Sequence, residues 1–241
     1  MGAAGESIKA TSFPVDNSMV LNDDDSQYLT RTNASVTTTG GADAQKKFTI
    51  SLWWKHGNIP SGGHNLYIQR NSSSNFMKCS IAGSAGNPAR LQFFAATTGA
   101  FTIGDTTAVL RDFHAWYHIL FYYDSTDGTA ADRARIYLNG VRLTDFLSSA
   151  TNPGSGAVTQ FGSNNPAVIG QNQAANGYSD GYMAEMVVID GQALTPDNFT
   201  ETDTNGVLRP LDISKQNFTF GDQGFYLPFT ASGALGADYG T

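Results

Sequence analysis

Hydrophobic and polar positions alternate in short runs along this chain, and turn residues part the runs. Phe48, Ile50, Leu52 and Trp54 fall on one side of a strand over 48–55, with Thr49, Ser51, Trp53 and Lys55 on the other. Runs 116–123 and 182–189 are apolar on both sides, the pattern of strands buried inside a sheet. Shorter runs predict strands over 26–30, 65–69, 76–81, 90–95, 167–170 and 225–229. Asn139-Gly140 lies between the apolar runs 135–138 and 141–144. It selects a two-residue type I′ hairpin turn, because both central positions need positive φ. Asp190-Gly191 predicts another tight turn, and one helical turn follows it. Thr195 suits the N-cap of that turn, Pro196 its first position, and Asp197 its positive dipole end. With no internal repeat and no long helix, the pattern predicts an all-β, two-sheet antiparallel sandwich. Its expected core is Phe48, Ile50, Leu52, Trp54, Ile119, Phe121, Ile136, Leu138, Val187 and Ile189.

Composition agrees with that picture and narrows the partners. The chain has 26 Gly and only 15% charged residues, which suits many short strands joined by turns. Cys79 is the single cysteine, so no disulfide framework exists and the core must hold the fold. The net charge is −7 and Lys and Arg are not clustered. That argues against nucleic-acid binding through phosphates and against adhesion to anionic membranes. No apolar run reaches membrane-spanning length, so no membrane insertion is expected. Residues 1–16 lack a basic region followed by an apolar run, so no signal peptide is expected. A protein of this kind acting outside a cell gets there by lysis or inside a particle.

Several segments, in order, resemble a known family. They are Gly181-Tyr-Met-Ala-Glu-Met-Val-Val-Ile-Asp-Gly-Gln-Ala-Leu-Thr-Pro196, the stretch 20–32, the strand 48–55, Ala115-Trp-Tyr-His-Ile119, the loop 124–133, Ile136-Tyr-Leu-Asn-Gly-Val141, Val168-Ile-Gly170 and Gly224-Phe-Tyr-Leu-Pro-Phe229. Together they are similar to laminin-G-like jelly rolls of the concanavalin A-like lectin and glucanase superfamily. The similar group is found in structural and tail-associated proteins of bacteriophages, especially marine ones. The resemblance implies a jelly-roll domain over 18–230, an N-terminal arm over 1–17, and a tail or the start of a linker over 231–241. It also implies a non-enzymatic module of a virion, present in many copies. Its expected partners are other virion proteins, host-surface glycans, or both.

The alternative on the same fold is a polysaccharide depolymerase. Retaining glucanases need two carboxylates about 5 Å apart. On one strand, that demands acidic residues at even spacing. The glucanase branch meets the demand with Glu-x-Asp-x-Glu. Here Glu185 and Asp190 are an odd step apart, and Glu185 shares its face with Val187 and Ile189. Glu201-Thr-Asp203 has the right parity but follows the helical turn in a polar segment. His56, His64, His114 and His118 lack zinc-site spacing and read as turn or rim residues. The expectation is therefore binding without catalysis.

Two candidate sites remain. Asp124, Asp127 and Asp132 offer loop oxygens of the kind calcium takes, and Asp23, Asp24 and Asp25 form a second acidic group. Asp124 and Asp132 are equally suited to capping turns or pairing with Arg133 and Arg135. Trp53, on the polar side of its strand, could stack on a sugar ring, with Tyr67, Tyr178 and Tyr182 contributing similarly. The other reading of Trp53 is that it packs beneath another segment of the same chain.

Overall fold

A computed structural model describes residues 15–32, 45–58, 63–84, 87–96, 100–172, 177–230 and 236–240. Two antiparallel sheets face one another. The first is built on the long strands β3 (Lys47–His56), β8 (Tyr117–Asp124) and β12 (Gly181–Asp190). β12 pairs with β3, and β1 (Met19–Leu21) and β15 (Phe225–Leu227) pair with opposite ends of β12. On the other side, β8 leads to β9 (Ala134–Leu138) and to the edge strand β10 (Val141–Leu143). The second sheet runs β2 (Leu29–Arg31), β11 (Ala167–Ile169), β4 (His64–Ser72), β5 (Asn75–Ser84), β6 (Asn87–Ala96) and β7 (Phe101–Gly104). A small hairpin, β13 (Thr200–Thr202) with β14 (Leu208–Pro210), lies apart from both sheets. Among the described residues, helix is limited to single 3-10 turns at Ala130–Asp132, Pro196–Asn198 and Ile213–Lys215.

The expected alternation sets the packing. Phe48, Ile50, Leu52 and Trp54 point between the sheets with Ile119, Phe121 and Ile136, against Met77, Cys79, Leu91 and Phe93 of the second sheet. Leu138 is only half-buried at the rim of this core. Val187 and Ile189 are buried too, but on the other side of the first sheet. There they join Leu120, Tyr122, Tyr137, Phe199, Ile213 and Tyr226 in a second cluster. The cause is a bulge in β12: the register with β3 shifts between Ala184 and Val187, and Glu185 sits at φ 48°. An extra residue on one strand flips the facing of everything beyond it. Met183 therefore faces inward before the bulge, and Met186 and Val188 after it.

The hairpin at Asn139-Gly140 forms as expected, with φ of 49° and 81° and Leu138 opposite Val141. Thr195 precedes the 3-10 turn in an extended conformation, but its side chain makes no capping hydrogen bond. Instead its Oγ1 accepts a long contact from Asn198 Nδ2 at 3.4 Å. Of the expected arm, residues 1–14 lie outside the described residues, as do 231–235 and 241 of the expected tail. Residues 236–240 return to β15: Tyr239 N donates to Tyr226 O at 2.9 Å, and Tyr226 N donates to Asp238 Oδ1 at 3.0 Å.

Candidate functional site

The outer face of the first sheet carries two of the four candidate aromatics, Trp53 and Tyr182, and the chain covers part of it. Thr49 Oγ1 donates to Gln192 O at 3.0 Å and accepts from Leu194 N at 2.7 Å. These bonds hold the start of the 193–220 segment against the sheet, and Phe199, Ile213 and Phe218 then pack on it. Ser51 Oγ bonds His118 Nε2 at 2.9 Å. Burial lowers the pKa of His118 to about 3, so the ring is neutral at ordinary pH. Trp53 lies beside that ring, centroids 5.3 Å apart, with 8% of its surface exposed. It is a packing residue, not a platform. Tyr67 is likewise inside the sandwich: its hydroxyl donates to Gln69 Oε1 at 3.2 Å, and burial pushes its pKa up. Neither ring can meet a ligand from solvent.

Tyr182 and Tyr178 are accessible, each with a different partner. Tyr182 stands on the outer face with the Lys55 ammonium 5.5 Å from its ring and Val20 opposite on β1. Tyr178 is half-buried, its ring 6.2 Å from that of Tyr28.

The loop aspartates are matched to cations. Asp124 pairs with Lys47 at 3.1 Å and accepts from Thr126 N and Oγ1. Burial disfavours its charge, but the bonds from Thr126 and Lys47 outweigh that and hold its carboxyl low. Asp127 pairs with Arg135 at 3.3 Å, and Asp132 with Arg142 at 2.5 Å and Arg135 at 3.6 Å. The Arg142 hydrogen bond holds the Asp132 carboxyl below its usual range. Their oxygens thus face guanidinium and ammonium groups, the turn-and-ion-pair alternative to calcium. Among the described residues no group of three or more His, Cys, Asp or Glu is placed to hold a metal. At another corner Asp180 binds Asn58 through N and Nδ2 at 3.0 and 3.1 Å. Burial raises its pKa, and nearby Asp23 and Asp24 raise it further.

Glu185 and Asp190 point to opposite sides of β12, as their odd spacing requires. Glu185 Oε2 accepts from Tyr226 Oη at 2.5 Å in the second cluster, and burial raises its pKa to about 7. Asp190 Oδ2 accepts from Gln223 N at 3.0 Å. Glu201 and Asp203 sit on the small hairpin, where Asp203 is tied to Arg209 Nε at 2.6 Å. The histidines are not all rim residues. His56 and His64 close the ends of β3 and β4, buried with Nδ1 and Nε2 3.2 Å apart. Burial lowers them to about 4 and about 3.

Sequence reasoning missed a concave feature at the sheet edges. A cleft of about 460 Å³ opens where the β9–β10 edge of the first sheet meets the β7 edge of the second. Residues 144–152 arch over it and are pinned to the second sheet at two places. Thr102 and Thr151 exchange N–H···O bonds at 2.9 Å. Further along, Thr107 N donates to Asp145 O at 3.0 Å and Leu147 N to Asp105 O at 2.8 Å. Ile103, Leu143 and Phe146 supply apolar lining, and Phe146 is braced against the core. Asp145, Ser148 and Asn152 line it with exposed polar side chains. The sequence signal was faint: a polar, small-residue run after the Asn139-Gly140 hairpin.

Fold and sequence together define the class. A family model described as the concanavalin A-like lectin/glucanases superfamily, in its laminin-G-like branch, matches residues 27–198, and the chain belongs to that family. No curated protein matches it in sequence. Among solved structures it is similar to tailspike protein 2 of an Escherichia coli O157:H7 bacteriophage, at 13% identity and a TM-score of 0.50. That match covers 79% of this chain and 25% of the tailspike. The mouse laminin α1 LG4-5 fragment is 14% identical with a TM-score of 0.46, over 86% of this chain and 47% of the fragment. A Ruminococcus gnavus IT-sialidase CBM40, bound to α2,3-sialyllactose, is 16% identical with a TM-score of 0.45, over 70% of this chain and 95% of that one. At 13% identity the tailspike likeness shows a shared fold alone. The chain spans only about a quarter of the tailspike and about half of the laminin fragment.

Proposed function

We propose that this domain is a non-catalytic binding module of a phage virion, carried in many copies and contacting host-surface glycans and neighbouring virion proteins. The observation that carries binding over cleavage is the make-up of the edge cleft. It is concave, held open by a doubly pinned arch, and within the size range of ligand pockets, yet Asp145 is the one carboxylate among its described lining residues. Two-carboxylate glycoside hydrolysis needs a pair across one groove. Glu185 and Asp190 are held on opposite faces of β12 by Tyr226 and Gln223. The virion setting is supported by the ordered sequence segments that resemble phage structural proteins.

Weak sites become useful when many are presented together, because avidity multiplies modest affinities where geometry permits. The test compares monomeric and multimerised protein on host cells and on a glycan panel, and measures reducing-sugar release. The expected result is multimer-dependent binding without sugar release. Sugar release abolished by Glu185→Gln or Asp145→Asn would establish the depolymerase alternative instead.

A further inference from the structure

We infer that the edge cleft binds one ring of a neutral glycan, an uncharged pyranose or furanose unit, and disfavours acidic sugars. The inference rests on the glycan-binding reading above and adds the place and the chemical class.

Some polar groups of the cleft are already engaged within the fold. Arg142 is its cation, but Nη1 donates to Asp132 Oδ1 at 2.5 Å and Nη2 to Ala131 O at 2.7 Å. Its charge is balanced within the fold, so among the described lining residues no free cation awaits the carboxylate of a uronate or sialate. By contrast, the side chains of Asp145, Ser148 and Asn152 make no hydrogen bond among the described residues. An ionised Asp145 can only accept hydrogen bonds, which suits sugar hydroxyls and repels sugar carboxylates. Ser148 and Asn152 both donate and accept, as adjacent hydroxyls of a ring require.

The apolar side of the lining fits the same ligand. Phe146 and Leu143, both half-buried, are placed to cover the C–H face of a sugar ring, and the lining also includes the buried core residue Ile103. Phe146 is fixed at its base by the core, and its own backbone is bridged to Thr106. Asp105, at φ 47°, accepts from Gln92 Nε2 at 2.9 Å, and Arg90 Nη1 donates to Thr106 O and Thr107 O. The shelf that pins the arch is therefore itself held by side chains of β6. Such a preformed site loses little freedom when a ligand enters.

The experiment uses the full chain, multimerised, on an array of neutral oligosaccharides (hexose and pentose) and matched acidic ones (sialylated and uronate-containing). It is repeated with Asp145→Ala, Asn152→Ala and Ala150→Trp, the last filling the cleft, and thermal unfolding is recorded for each. The expected result is binding to neutral members, at least fivefold weaker for each variant at an unchanged melting temperature. If a variant is destabilised, ligand-induced amide shifts in the unsubstituted protein, expected at residues 102–106 and 144–152, decide the location. Undiminished binding by all three folded variants, or shifts confined elsewhere, would place the site outside the cleft and leave the glycan-binding reading standing. Stronger binding to acidic members would overturn the ligand class. Binding to no glycan at all would overturn both readings.

Discussion

Two surfaces of this domain carry side chains of the same chemical kinds, and only one of them is open. The outer face of the first sheet presents Thr49, Ser51, Trp53, His118 and Glu185. The edge cleft presents Thr144, Asp145, Phe146, Ser148 and Asn152. On the sheet face Thr49 bonds Gln192 and Leu194, Ser51 bonds His118 and Glu185 bonds Tyr226, while His118 Nδ1 has no partner among the described residues. In the cleft, Asp145, Ser148 and Asn152 have none among the described residues. Buried polar groups must be satisfied internally, so the sheet face is structure, whereas the exposed cleft groups are left to water or to the proposed ligand.

The most severe way to break this contrast is to truncate Leu120. It neighbours Ile119 on β8 but points outward into the second cluster. If the outer face is a second core, Leu120→Ala and Ile119→Ala should each cost about 2–5 kcal/mol in urea unfolding. A Leu120→Ala cost within about 0.5 kcal/mol, typical of surface positions, would mean that the face is open.

Glu185 gives a pH-dependent version. Burial raises its folded pKa from 4.5 to about 7, so the native state holds this proton more tightly than the unfolded chain does. For such a group, stability falls as pH rises from 4.5 through about 7 and stays reduced above that. Glu185→Gln keeps an acceptor for Tyr226 Oη and removes the charge. It should stabilise the protein at pH 8 by up to about 3 kcal/mol and change little at pH 4. A gain of equal size at both pH values would show that ionisation of Glu185 is not involved.

The smallest effects come from a matched pair of serines. Ser51→Ala removes the one partner that the buried His118 ring has among the described residues, where its Nδ1 has none, and should cost about 1–3 kcal/mol. Ser148→Ala should stay within about 0.5 kcal/mol. Equal costs in thermal unfolding would erase the distinction between the two surfaces.

By itself the sequence determined the elements whose pattern is local. The alternation over 48–55 put Phe48, Ile50, Leu52 and Trp54 inward. The doubly apolar runs became β8 and β12, and Asn139-Gly140 formed its turn because few residues tolerate positive φ in succession. The odd spacing of Glu185 and Asp190 already separated them. What the tertiary structure alone decided depends on distant segments. Alternation tells which side of a strand is apolar, not what covers the other side. Thr49 is buried because Gln192 and Leu194, far along the chain, bond across it, and Trp53 is buried beside the His118 ring of the neighbouring strand. The bulge at Glu185 moved Val187 and Ile189 to the outer cluster, since one inserted residue reverses the facing that periodicity predicts. The short edge strands β1 and β7 and the hairpin β13–β14 carry too few residues for a periodic signal, and pairing with neighbours defines them. The cleft needs residues 102–106 and 144–151 side by side, and that meeting exists only once β7 and β10 have become neighbouring edges of two packed sheets.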